Sequence, residues 1–162
     1  MSSDTFTTAI FLITAVVAAA VLVNAFFPVI YTATSTFTSS SANADERLRT
    51  DVRIVNTYAQ APNAKIWIKN TGSVRIADAD IEIADIFIGQ PGDFDLLTLN
   101  TGGPGSGEWN YEIVGDTNGY WDEGETLRID ANSALVPGSG SVTYFHLVLP
   151  SGITRSKEFT AS

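Results

Sequence analysis

The sequence predicts an α+β chain, in which one long apolar N-terminal helix is followed by an all-β antiparallel sandwich. Three observations predict it. Ala9–Phe27 holds nineteen residues of which only Thr14 and Asn24 are polar, and none is charged. All thirteen glycines fall at Gly72 or later, whereas the first Lys or Arg is Arg47. From Asp51 onward the apolar residues alternate with a period of two, as in a strand with one buried face.

The helix comes first. A hydrocarbon core takes roughly 20 residues at 1.5 Å rise each, so Ala9–Phe27 is long enough to cross one. Eleven of its residues are Ile, Leu, Val or Phe: Ile10, Phe11, Leu12, Ile13, Val16, Val17, Val21, Leu22, Val23, Phe26 and Phe27. Each favours the membrane centre by about 0.3–0.6 kcal/mol, enough together to outweigh one Asn and one Thr. The stretch is expected to stay as an anchor. A cleaved secretory signal has a basic start and small residues at its end, but here the tail MSSDTFTT has neither Lys nor Arg, and bulky Phe27, Pro28 and Tyr31 follow the apolar run. Asp4 reads as an N-cap or first-turn acid.

Residues 1–31 are thus the tail and membrane helix, and residues 32–49 a Ser/Thr-rich neck. Eight of the ten residues Thr32–Ser41 are Ser or Thr. Ile30, Phe37, Ala44 and Leu48 nevertheless keep to one helical stripe, and ANADERLR is good helix-forming sequence. One helix from about residue 5 to 49 is expected, with a kink at Pro28.

Residues 50–162 form the β-domain. Strand candidates are DVRIVNTY, KIWIKN, FDLLTL, EWNYEIV, ETLRIDA, SVTYFHLVLP and TRSKEFTA. In DADIEIADIFI, Ile81 and Ile83 and then Ile86 and Ile88 make two alternations out of phase, read as a bulge or a strand that changes sheets. Turn signals such as KNTGS, GQPGD, GDTNG and VPGSG separate the strands. About seven or eight short strands with no second helix indicate an immunoglobulin-like sandwich.

Chemistry is sparse. The chain has no cysteine and a net charge of −9, which rules out disulfides and thiolate metal sites and argues against a nucleic-acid partner. No Asn-x-Ser/Thr sequon occurs. Within GDTNGYWDEGE, Asp116, Asn118, Asp122 and Glu125 place oxygen at the short spacings calcium needs. Counted as an EF-hand from Asp116, however, its last ligand would be Leu127. That leaves two readings of the loop, another kind of calcium turn or an Asx-rich connection. His146 is the single histidine and lies in the apolar run TYFHLVL, where it reads as a core or interface residue. Asp78/Asp80 and Asp93/Asp95 alternate as a solvated face would. No nucleophile elbow or phosphate loop is present, and an enzyme is not expected.

The N-terminal stretch, the neck ADERLRTDVRIVN, the strand-turn IWIKNTGSVRI, the loop NGYWDEGETLRI and the closing LVLPSGITRSKEF together resemble the archaellum FlaG family of archaea. That resemblance covers essentially the whole chain. It implies an archaellin-like β-sandwich on a membrane anchor, facing the pseudoperiplasm at the cell surface. It also implies a stator role in the archaellum, self-association, and FlaF and the S-layer as partners. The alternatives are an archaellin- or pilin-type filament subunit, with the apolar helices as filament core, and a membrane-tethered, calcium-dependent binding module.

Overall fold

A computed structural model describes residues 2–162. It divides into two compact units that meet between Ala44 and Asp45. Helix α1 spans Ser2–Arg49, 48 residues with Pro28 inside it, or about 72 Å at 1.5 Å per residue. All eleven of the large anchor side chains are exposed. The neck remains helical because its hydroxyls bond back onto the helix rather than competing with it. Thr32 donates to the Pro28 carbonyl at 2.9 Å, Thr36 to Thr32 at 2.9 Å and Ser39 to Ser35 at 3.0 Å. In the apolar run Thr14 donates to the Ile10 carbonyl at 2.8 Å, which satisfies its hydroxyl without water.

The second unit is a ten-stranded β-domain: β1 (Val52–Gln60), β2 (Asn63–Asn70), β3 (Ile76–Ala77), β4 (Asp85–Gln90), β5 (Asp93–Leu99), β6 (Glu108–Val114), β7 (Tyr120–Trp121), β8 (Thr126–Asn132), β9 (Val142–Val148) and β10 (Thr154–Thr160). Eight of them run in the order β1-β2-β8-β6-β5-β4-β9-β10, while β3 pairs with β7. Strand β5 joins the two layers. It is antiparallel to β4 from Asp93 to Leu97, and then parallel to β6 at Thr98–Glu108 and Leu99–Trp109. The outer ends approach each other, with Arg155 Nε bonded to the Val52 carbonyl at 2.7 Å and the Ser162 N–H to the Ala59 carbonyl at 2.8 Å. Between the layers lies a core that includes Ile66, Ile68, Ile86, Ile88, Trp109, Trp121, Ile129 and Phe145, all buried.

Two expectations need correction. The first alternation in DADIEIADIFI is not a strand, because Asp78–Glu82 forms a short helix, α2. Ile81 and Ala84 turn inward at helical spacing while Ile83 is 66% exposed, so the phase shift marks a change of element. The β5–β6 pairing also makes the sandwich not wholly antiparallel.

The outer faces of the two layers differ. On the β2–β8–β6 side, Lys65 stands opposite Asp130, and Arg128 stands between Trp67 and Glu112. Arg128 pairs with Glu112 at 2.8 Å and with Asp130 at 2.9 Å. On the β5–β4–β9 side the outward residues include a row of rings. Gly89 has no side chain, so the Phe94 and Tyr144 rings meet across β4 at 5.2 Å. Phe87 lies 6.0 Å from Phe94 and 5.7 Å from His146. His146 is therefore half-buried on an outer face rather than in the core.

Trp109 is 1% exposed, and its removal leaves a large void between the layers. Trp109→Ala is expected to cost about 3–5 kcal/mol in denaturant unfolding of residues 45–162. A loss under about 1 kcal/mol would mean that the core is not closed as described.

Candidate functional site

Helix α1 ends one residue before Thr50, so the contacts of residues 49–51 decide whether the helix end is fixed to the β-domain. The KNTGS turn after β2 makes those contacts. The Ser73 N–H donates to the Arg49 carbonyl at 2.9 Å, and the N–H groups of Thr71 and Gly72 both donate to the Asp51 carbonyl at 2.8 Å. A Cβ on Gly72 would lie 2.4 Å from both the Arg49 oxygen and the Asp51 nitrogen, so only glycine lets the two backbones approach this closely. Side chains add to the joint. Arg49 Nε donates to Ser73 Oγ at 3.2 Å and Thr71 Oγ1 to Asp51 Oδ2 at 2.8 Å, while Arg155 donates to Asp51 Oδ1. The Thr71 hydrogen bond, helped by Arg155 and opposed by partial desolvation, holds the Asp51 carboxyl below its ordinary 3.8.

A second layer of bonds supports the turn. Asn70 is fully buried, and its side chain is satisfied at both ends. Nδ2 donates to the carbonyls of Val74 at 3.0 Å and Trp121 at 2.9 Å, and Oδ1 accepts from the Gly72 N–H at 3.0 Å. Its backbone bonds Glu125 and Gly124 at 2.9 and 2.8 Å. Trp121, buried, donates Nε1 to the Glu125 carbonyl at 3.0 Å. The 115–125 loop thus holds the 70–73 turn, and the turn holds the helix end.

The four oxygen-bearing residues of that loop lie together and bond within it. Asp116 accepts from the Asn118 N–H at 2.9 Å and the Gly119 N–H at 3.0 Å. These backbone donors, the Asn118 bond foremost, keep its pKa low. Asn118 accepts from the Tyr120 N–H at 2.9 Å and donates to Asp122 at 2.8 Å, and Glu125 accepts from the Asp122 N–H at 2.9 Å. Among the described residues no three His, Cys, Asp or Glu side chains gather as a metal site.

Two acids expected on a solvated face are in use elsewhere. The Tyr111 hydroxyl donates to Asp78 at 2.6 Å, and Ser133 Oγ donates to Asp95 at 2.7 Å. Burial first, then Asp78, raises the Tyr111 pKa. Sequence reading missed Asn70 and Arg155 as parts of the joint. KNTGS was legible as a turn, but the burial of its Asn depends on Trp121, 51 residues away.

A helix that is uncharged from Thr5 to Ala44, followed by a two-layer β-domain, defines the class of helix-tethered β-sandwich proteins. The chain belongs to the archaeal-type flagellin family, whose model matches residues 2–159. It is therefore a structural component of the archaeal-flagellin type. An uncharacterized protein of Archaeoglobus fulgidus is 33% identical over 142 residues, covering 82% of this chain and 85% of its own length. Among solved structures, the archaellum periplasmic stator protein FlaG from Sulfolobus acidocaldarius is 18% identical, with a TM-score of 0.55. The match covers 68% of this chain and 99% of that one. The archaeal flagellum of Methanospirillum hungatei is 16% identical, with a TM-score of 0.71, covering 96% and 92%. At these identities the likenesses show the fold.

Two outcomes follow for the joint. Asn70→Ala leaves buried donors and acceptors without partners and is expected to cost about 2–3 kcal/mol in denaturant unfolding. Because the folded pKa of Asp51 lies below 3.8, its contribution to stability is present above that value and falls away as pH drops through the folded pKa. Thermal melts between pH 6 and 2 should therefore show an acid-limb loss that is smaller in Asp51→Asn. An unchanged limb would show that Asp51 is not stabilised in the folded state.

Proposed function

We propose that this chain is a stationary, membrane-anchored structural component of the archaellum, a stator element that ties the motor to the cell envelope. The observation that carries the reading is the division of α1. The apolar run Ala9–Phe27 matches one bilayer, and a hydroxyl-rich stretch begins at Thr32, beyond the point where the bilayer would end. A stator must resist torque without moving. The bilayer segment supplies one fixed point, and the joint at Gly72 passes load into the β-domain. The β-domain shares its fold with FlaG, and a solved FlaF–FlaG complex from Sulfolobus acidocaldarius matches with a TM-score of 0.54. We take a FlaF-like protein as the direct partner, with the β-domain in the pseudoperiplasm beneath the S-layer.

The second reading is a filament subunit. It is favoured by the match to the Methanospirillum flagellum over 96% of the chain, and by the absence of charge from Thr5 to Ala44. That span is about 60 Å of helix, roughly twice the hydrocarbon thickness.

Shearing filaments from native cells and probing each fraction separates the two. The stator reading expects the protein in the membrane fraction; recovery with the sheared filaments would overturn it. The calcium reading of Asp116, Asn118, Asp122 and Glu125 has its own test. If the loop serves the joint alone, millimolar calcium will leave the melting temperature of residues 45–162 unchanged. A rise of several degrees would assign it a metal.

A further inference from the structure

The two outer faces of the sandwich are unlike in a way that the anchor and the joint do not use. On the β5–β4–β9 face, Leu96 is 57% and Phe94 44% exposed beside Phe87, Tyr144 and His146. The charges pointing outward there are Asp85 and Glu158, each in register with this row. Arg155 and Lys157 of β10 stand opposite Leu147 and Phe145, on the other side of the strand. This face is apolar with an acidic rim.

The β1–β2 hairpin has the opposite character. Between Val52 and Asn70 it carries Arg53, Lys65 and Lys69 and no carboxylate, in a chain of net charge −9. Arg53 is in register with Lys69, and Lys65 with Tyr58. Tyr58 is 39% exposed, and Val55, at the register shift, is 53% exposed. Arg53 and Lys65 also reach Asp51 at 3.6 Å and Asp130 at 3.5 Å, but their side chains remain 74% and 49% exposed.

We propose that these are the two halves of one contact, in which the aromatic, acidic face of one copy packs on the cationic hairpin of a second copy. Exposed apolar area of this kind marks an interaction surface, and the charges decide the occupant. Either face packed on itself would oppose like charges, whereas the unlike faces bring Asp85 and Glu158 toward Arg53, Lys65 and Lys69. Lysines beside exposed rings add cation–π attraction. A contact between two different faces does not close on itself, so each copy offers a free face to the next and the β-domains add in a row. The inference rests on the assembly reading above and names the surface that would serve it.

The core lies wholly within residues 52–161 and Asp45–Ser162 is a compact unit, so the β-domain can be studied alone. Sedimentation equilibrium of residues 45–162 should show an open series of oligomers that salt weakens. Phe94→Lys/Leu96→Lys and Lys65→Glu/Lys69→Glu should each be monomeric by themselves, with association weakened at least about tenfold. Mixed in equal amounts, they should form a one-to-one pair that grows no further, since each keeps the face the other has lost. Melting curves check that both are folded, and the single variants Leu96→Lys and Lys69→Glu replace any double variant that is not. A wild-type domain that is monomeric at every concentration, a closed dimer insensitive to the hairpin charges, or a mixture that stays monomeric would each overturn the proposal. So would binding of the aromatic face to lipid vesicles in place of a second copy. Any of these results, with the protein still in the membrane fraction after shearing, would leave the stator reading standing.

Discussion

The close approach of two backbones at Gly72 is the constraint on which the rest of the architecture depends. The Arg49 carbonyl and the Asp51 N–H stand where any Cβ at residue 72 would be, and the N–H groups of residues 71–73 bond back to Arg49 and Asp51. A helix that only led into a sandwich through a flexible linker would transmit position poorly and load hardly at all. Here the last helical residue is bonded to a turn, and the turn is bonded through buried Asn70 to Trp121. The helix end is thereby linked to the core of the β-domain by backbone hydrogen bonds at the turn and by the Asn70 side chain. The Asp116–Glu125 loop takes its place in that path. Its carboxylates hold backbone N–H groups and so keep Trp121 and Glu125 where the turn needs them.

The same chain has given its two outer faces different work. A sandwich needs its alternate residues inward, and that requirement is met in both layers by Ile, Leu, Trp and Phe. The outward residues are free of it. On the β2–β8–β6 side they form a charged ladder around Arg128, which suits water. On the β5–β4–β9 side they include rings that touch one another and exposed Leu96, which suit it less. Solubility alone would favour charge on both faces, and only the β2–β8–β6 face meets that expectation.

How much of this was legible in the sequence follows from the range of the interactions. The helix was legible to within a few residues, because nineteen nearly unbroken apolar residues and a hydroxyl-rich neck are local signals. Strands such as KIWIKN and ETLRIDA were legible for the same reason. DADIEIADIFI was misread because Ile81 and Ile83 alternate like a strand over too short a span to tell a period of two from a turn of helix. The parallel step at Thr98–Glu108 left no local trace. Of the joint, the sequence displayed the turn residues and concealed the partners. Arg155 meets Val52 across 103 residues, and nothing in ITRSKEF marks its arginine as different from any solvated one. Carboxylates at short spacing serve calcium and Asx-turns equally well, so the sequence of the Asp116–Glu125 loop does not choose between the two.

The central claim is that the helix end and the β-domain behave as one body. Native-state hydrogen exchange on the full-length chain in lipid nanodiscs addresses it directly, through the amides of Thr71, Gly72 and Ser73. The account predicts protection close to that of core amides such as Ile66 and Ile129, because those three hydrogen bonds open only when the domain unfolds. Exchange more than roughly a hundredfold faster than the core would show that the joint opens by itself, and would contradict a helix end fixed to the β-domain by those bonds.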